Sequence, residues 1–242
     1  MKLSKWLLVP CLALTMYTKA PASDIYIGRR GPTDWQLDQR VVSSENEKAR
    51  STTSTTILKY WDGDEHGKWW SVSLPYKHLE PNAPAPTQNG FGDLSLNLGP
   101  RGRNGNFHWF LYSGLTLPTG GMGNDRTDMR FGGLFTQMSP DQKYEVDGSI
   151  DYNITGTDRN GIDPPDEFSA GILLGGEVAK NTRAAAGLTY LGKGNDHSTN
   201  MKTVFRFTPS KKAHFELTYE TPVSSRGIPR TSTICAIGRY NF

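Results

Sequence analysis

The chain closes on Thr231-Ser232-Thr233-Ile234-Cys235-Ala236-Ile237-Gly238-Arg239-Tyr240-Asn241-Phe242. Reading back from Phe242, one face carries Tyr240, Gly238, Ala236 and Ile234, and the other carries Asn241, Arg239 and Thr233. Side chains change face at every residue of an extended strand, so this alternation specifies a β-strand with one apolar and one hydrophilic surface. The pattern recurs upstream. Ala213, Phe215, Leu217 and Tyr219 alternate with His214, Glu216, Thr218 and Glu220, and Tyr144, Val146, Ile150, Tyr152 and Ile154 with Glu145, Asp147, Ser149, Asp151 and Asn153. Twelve strand-like runs, separated by Gly, Pro, Asn and Asp, follow from this reading: about 34–43, 52–61, 68–77, 90–99, 106–117, 128–138, 143–155, 167–179, 183–192, 200–208, 213–221 and 231–242. No stretch among them has a 3.6-residue apolar period.

A soluble sandwich would alternate too, and the amino end discriminates. Lys2 and Lys5 precede an apolar stretch from Trp6 to Tyr17, and Ala20-Pro21-Ala22 supplies small residues for cleavage. Residues 1–22 therefore read as a signal peptide and 23–242 as the mature domain. The apolar stretch is well short of the ~20 residues a spanning helix needs. Cys11 lies inside it, behind Pro10, which is not the position of a lipoprotein cysteine. Cleavage removes Lys2, Lys5 and Lys19 from a total of 27 basic residues, leaving 24 against 24 acidic, so no basic surface argues for nucleic acid. It also leaves Cys235 alone, without a disulfide framework. An exported chain that is only 36% hydrophobic fits a membrane barrel, in which alternate residues face lipid and the others face a polar lumen. The fold expected is all-β: a single up-and-down antiparallel transmembrane β-barrel of about twelve strands.

Connection lengths point the same way. Long segments at Pro118–Thr127, Gly156–Asp166 and Pro222–Arg230 take turns with short ones at Ser139–Gln142, Lys180–Thr182 and Pro209–Lys212. Bacterial barrels pair long external loops with short periplasmic turns, which places the fifth, seventh, ninth and eleventh connections and the Glu80–Asn89 segment outside and both termini in the periplasm. Trp61, Trp69, Trp70, Tyr76, Phe107, Trp109, Tyr190 and Tyr240 cluster near strand ends, as rings at a membrane interface do.

The terminal Tyr240 and Phe242 resemble the signature by which the outer-membrane assembly machinery recognises its barrels. Gly90-Phe91-Gly92-Asp93-Leu94, followed by an alternating strand, and Gly114-Leu115-Thr116-Leu117-Pro118-Thr119-Gly120, leading into a polar loop, resemble the outer-membrane family associated with the meta-pathway of phenol degradation. The resemblance spans about residues 89–242 and departs from the pattern at Gly121, where an acidic residue often follows Pro-Thr-Gly. It implies a transporter-like barrel embedded in outer-membrane lipid, passing small hydrophobic or aromatic solutes.

With the apolar faces outward, the charged residues sent inward are Asp38, Arg40, Asp93, Arg130, Glu145, Asp147, Asp151, Glu177, Lys202, Arg206, His214, Glu216, Glu220 and Arg239. They would either bias a polar passage for small molecules or pair across neighbouring strands and fill the interior. Closure brings Arg239 near Asp38 and Arg40. A lipid-modifying hydrolase and a non-conducting structural or adhesive barrel are the alternatives. Asn195–Asn200, read as a polar external loop, contains Ser198 and His197 in adjacent positions, which in a strand oppose each other instead of forming a dyad. Asp62-Gly63-Asp64-Glu65-His66 lacks the spacing of a metal loop, and His78, His108 and His214 lack metal-ligand spacing. The sequence thus points to no enzyme, cofactor or metal.

Overall fold

A computed structural model describes residues 34–46, 50–63, 67–81, 86–123, 125–210 and 212–242. The expected signal peptide, Cys11, Asp64–His66 and the side chain of Trp61 lie outside that description. The strands are β1 (Asp34–Asn46), β2 (Arg50–Gly63), β3 (Gly67–Pro81), β4 (Gln88–Phe91), β5 (Leu94–Asn104), β6 (Phe107–Leu117), β7 (Asp128–Met138), β8 (Tyr144–Ile154), β9 (Glu167–Ala179), β10 (Thr182–Lys193), β11 (Asp196–Phe207), β12 (Ala213–Arg226) and β13 (Thr231–Asn241). Each pairs antiparallel with its sequence neighbours, except that β4 and β5 both pair with β3 and not with each other, and β1 pairs with β13, so the sheet closes on itself.

β4 and β5 are two halves of one wall strand, and the barrel therefore has twelve staves. The expected run at 90–99 is interrupted for a local reason. β3 pairs with β4 through Tyr76–Leu79 and with β5 through Gly67–Ser73. Pro75 lies between the two segments with no N–H to offer a ladder. The Gly92 amide still reaches the Pro75 carbonyl at 2.8 Å.

The Phe242 amide donates to the Trp35 carbonyl at 3.0 Å, so β1 begins and β13 ends at the same rim, here the terminal end. The turns at 105–106, 139–143 and 180–181 and the connection that leaves β11 at 208–210 lie there. The longer connections at 118–127 and 155–166 lie at the opposite, loop end. The ninth connection departs from expectation. Gly194, in the left-handed region at φ 59°, starts a turn of only two residues, and Asp196–Asn200 already belong to β11. Asp196, Ser198 and Asn200 take the inward parity there, so a hydrophilic stretch read as an external loop is a strand. β12 likewise runs on to Arg226 and shortens the eleventh connection to 227–230.

Burial separates the two faces. Leu111, Phe131, Ile150, Ile172, Leu188 and Phe205 are exposed on the outer wall, while Asp147, Thr136, Arg206 and Glu145 are buried within. Trp69 corrects the expected aromatic belt. It and Trp70 are adjacent and take opposite faces, so Trp70 stays outside while Trp69, 4% exposed, points inward and stacks on Phe110 with ring centroids 4.1 Å apart. Its indole N–H donates to the Leu111 carbonyl at 3.1 Å. Pro100 has no amide with which to meet that carbonyl across the β5–β6 ladder.

The 118–127 connection folds back over the break in the wall. Lys77 Nζ donates to the Met122 carbonyl at 3.0 Å, the Met122 amide to the Phe91 carbonyl at 2.9 Å, and the Gly120 amide to Asp93 Oδ1 at 3.4 Å. A Cβ at Gly120 would sit 2.2 Å from the Phe91 carbonyl oxygen, which is backbone and cannot swing away. Gly120→Ala is therefore expected to unseat this connection at a cost of about 1–3 kcal/mol while the barrel stays closed. Tryptic cleavage at Arg126 should accelerate with unchanged heat-modifiable gel mobility; unaltered cleavage would show that the contact does not hold the loop.

Candidate functional site

Asp38, Arg40, Arg130, Glu145, Asp147, Asp151, Glu177, Lys202, Arg206, Glu216, Glu220 and Arg239 share the inward parity of their strands, as does His214, while Asp93 is buried in the break between β4 and β5. Nine of them form three groups, set by which neighbours leave them room.

The first centres on Arg206, whose side chain is 5% exposed. Arg206 Nη1 donates to Asp147 Oδ2 at 2.7 Å and to Glu145 Oε1 at 3.2 Å, and Nε lies 3.4 Å from Glu216 Oε2. Arg206 is on β11 and the two acids are on β8, so the guanidinium reaches past two intervening strands. Those strands permit it, because β9 and β10 line the interior here with Leu173, Gly175 and Ala185. Arg183 completes the cluster, donating from Nε to Glu145 Oε2 at 2.8 Å and from Nη1 to the Gln142 carbonyl at 3.0 Å. Thr136 Oγ1 donates to Asp147 Oδ1 at 2.6 Å. Each buried carboxylate thus has two or more donors, the condition under which buried charge is tolerated. His214 Nε2 stands 3.8 Å from Glu216.

Toward the loop end of β8 and on the neighbouring β7 and β6, Arg130 Nε donates to both oxygens of Asp151 at 2.7 and 2.8 Å, and the Tyr112 hydroxyl donates to the same carboxylate. The guanidinium lies over the Tyr112 ring, 5.9 Å from its centroid. Tyr112 and Leu134 pack against the Trp69–Phe110 stack. The third group sits at the closure seam, where Arg239 grips Asp38 with Nε at 2.9 Å and Nη2 at 3.1 Å, and Gln36 adds a bond to Asp38 Oδ1 at 2.5 Å.

Arg40 joins neither its neighbour Asp38 nor another acid through Nε, which is buried without an acceptor among the described residues. Glu220 accepts from Thr189 Oγ1 at 2.6 Å and from Asn200 Nδ2 at 2.8 Å. Glu177 stands exposed at the end of β9, outside the Arg206 cluster. Next to that cluster is a cavity of about 140 Å³, lined by the charged Asp147, Arg206, Glu216 and Lys202 and by the apolar Leu173 and Val204.

Acidic side chains also shape the loop end. Asp128 accepts from Arg126 Nε at 2.8 Å and from the Gly156 amide at 3.0 Å, and Asp166 accepts from the Thr155 amide at 2.9 Å and the Tyr152 hydroxyl at 2.8 Å. The Thr155 N–H, followed by the Tyr152 hydroxyl, holds the Asp166 carboxyl below the usual carboxylate range. The clamp on the 155–166 connection is accordingly complete above that range and is lost only as pH falls through the lowered value.

Ser198 and His197 do not meet. Ser198 is buried inside, bonded to Asn200 Oδ1 at 2.7 Å, whereas the His197 ring lies against Tyr190 on the outside. Arg183, Phe110 and Tyr112 were not among the residues singled out from sequence, and Trp69 was assigned there to the membrane belt. Arg183 follows the same parity as the small Ala185 and Gly187, so its strand shows no polar face to flag it. β6 carries large rings on both faces, which hides its alternation.

Removing Arg206 would leave the buried Asp147 without its cation and Glu145 with Arg183 alone. Arg206→Met is expected to lower stability by about 3–5 kcal/mol, the usual effect of breaking one side of a buried pair. Urea titration of the barrel in lipid vesicles reads this directly, and a change below about 1 kcal/mol would mean that the cluster is solvated.

Residues 31–219 match the family described as the MetA-pathway of phenol degradation. No curated protein sequence matches the chain significantly. Among solved structures, the COG4313 outer membrane channel from Pseudomonas putida F1 superposes with a TM-score of 0.73 at 14% identity, covering 93% of this chain and 100% of that one. The KdgM porin gives a TM-score of 0.55 at 11% identity over 86% and 99% of the two chains, and the NanC porin 0.55 at 12% over 85% and 99%. These likenesses speak for the fold, and the family match covers most of the sequence. The chain belongs to the family described as the MetA-pathway of phenol degradation and is an integral outer-membrane β-barrel.

Proposed function

We propose that this barrel is a channel for passive entry of small molecules, with both termini in the periplasm. The observation that carries the reading is the interior itself. A closed wall surrounds polar and charged side chains from all sides, with a cavity beside the Arg206 cluster, whereas a purely structural barrel has no need to bury so many charges. The solved structures that share the fold include a channel and two porins, which supports the same reading. With the termini periplasmic, the Arg206 cluster narrows the periplasmic half of the passage, and the longer 118–127 and 155–166 connections face the cell exterior.

Hydrophobic or aromatic compounds are the proposed solutes. The family's association with phenol degradation supports this, as does the inner wall, where Tyr112 offers a ring face beside the Arg130–Asp151 pair. Ser198 and His197, on opposite faces, give no support to a hydrolase.

Planar-bilayer conductance and liposome swelling with arabinose, benzoate and phenol test the channel reading. Wild type is expected to conduct weakly, and Arg206→Ala to raise single-channel conductance several-fold by clearing a side chain that crosses the lumen. Folded protein with no swelling or conductance above background, in both wild type and Arg206→Ala, would overturn it.

The terminal residues are proposed to be the signal for the barrel assembly machinery. The Tyr240 and Phe242 rings meet edge to face with centroids 5.3 Å apart at the rim. Phe242→Ala should reduce the amount of barrel in isolated outer membranes several-fold while refolding from urea into detergent proceeds as in wild type; equal membrane yields would remove the role.

A further inference from the structure

The lipid-facing wall is not uniform. From β6 to β12 its exposed mid-height side chains are mostly large and apolar, with isolated hydroxyls at Ser113 and Thr203, but where β13, β1 and β2 meet, Gln39, Ser54 and Thr56 cluster around Val41, flanked by Ala236 and Gly238. The cross-strand row Phe215–Gly238–Gln39–Thr56–Tyr76–Phe91 fixes their height. It begins at Phe215, stacked on Phe207 by the terminal-end turn, and finishes at the Tyr76–Phe91 pair on the loop-end side. Strand tilt carries such a row up the barrel, so Gln39 and Thr56 stand between the two aromatic belts, at the depth of lipid tails. Gln39 Nε2 donates to Ser54 Oγ at 2.9 Å, and Thr56 Oγ1 donates to Gln39 Oε1 at 2.6 Å. The second amide proton of Gln39 and the hydroxyl proton of Ser54 find no acceptor among the described residues.

We propose that this sector is the interface of a two-fold homodimer, in which Gln39, Ser54 and Thr56 of one copy meet the same residues of another. Three arguments select a second copy as the occupant. Lipid tails cannot satisfy the leftover donors, and headgroups do not reach this depth. The triad holds both donors and acceptors, which makes it complementary to itself under a two-fold axis. A second copy also carries the same hydrophobic height, so it brings its polar groups to the same level. Ala236 and Gly238 leave no bulky side chain to keep the two walls apart, the arrangement by which small residues allow close approach in membranes.

Oxidative cross-linking in isolated outer membranes tests the contact. In a Cys235→Ser background, Val41→Cys places a thiol within the sector, and Ile150→Cys places one on the opposite wall. With copper phenanthroline as oxidant, Val41→Cys should give a covalent dimer and Ile150→Cys should not. Adding Ala236→Phe should cut the Val41→Cys cross-link about tenfold, with heat-modifiable mobility confirming a folded barrel. Sedimentation equilibrium in density-matched detergent supplies a second reading: wild type should show a dimer, and Gln39→Leu should weaken it about tenfold. No cross-link at Val41→Cys, equal cross-linking at both positions, or a monomer at every concentration would overturn the proposal.

Discussion

Hydrocarbon offers a peptide group no hydrogen-bond partner, and the pairing of β1 with β13 is the contact on which the rest of the structure depends. It runs through eleven residue pairs, from Gln36–Asn241 to Asn46–Thr231, and removes the two edges that an open sheet would leave facing lipid. The same ladder locks the parity of the wall. A slip of β1 by one residue would turn Asp38 out into lipid and bring Leu37 in while Arg239 stayed inside without its partner, so the Asp38–Arg239 ion pair and the hydrogen-bond register enforce each other.

Closure then creates a second problem, because a ring of twelve staves encloses space that must be filled or wetted. The two walls solve it differently. β3, β6 and β7 fill their side with Trp69, Phe110, Tyr112 and Leu134. β9 and β10 recede with small residues, and Arg206 and Arg183 extend into the room left to meet Glu145 and Asp147. Charge and size are thus arranged jointly: the small side chains of one pair of strands are the condition for the long cations anchored beside them.

Much of the fold was legible in the sequence because a period of two survives translation into a barrel. The terminal strand, the β8 alternation and the short turn at 180–181 follow from local pattern alone. What escaped were features whose cause is non-local. The break at Gly92-Asp93 arises from Pro75 on the neighbouring strand, which no reading of β4 and β5 by themselves discloses. The polar run at Asp196–Asn200 looks like a loop until the lumen beside it is known, since a strand facing a wet interior needs no apolar face on that side. Inward charges could be assigned by parity, but their partners could not. Arg206 reaches residues sixty positions away in sequence, and only the closed circumference brings them together. Trp69 shows the limit of composition, because of two neighbouring tryptophans only one can belong to the membrane belt.

The Arg206 cluster has a consequence for how this sequence can change over time. Its members come from β8, β10, β11 and β12, and each carboxylate or guanidinium is held by more than one partner. An altered charge at any one position leaves the remainder unbalanced in a largely buried site, so single steps are penalised where paired or triple steps are not. Related chains should therefore differ at positions 145, 147, 183, 206 and 216 in concert. The receding residues 175 and 185 should drift toward larger side chains only in lineages where the long cation at 206 has already been lost.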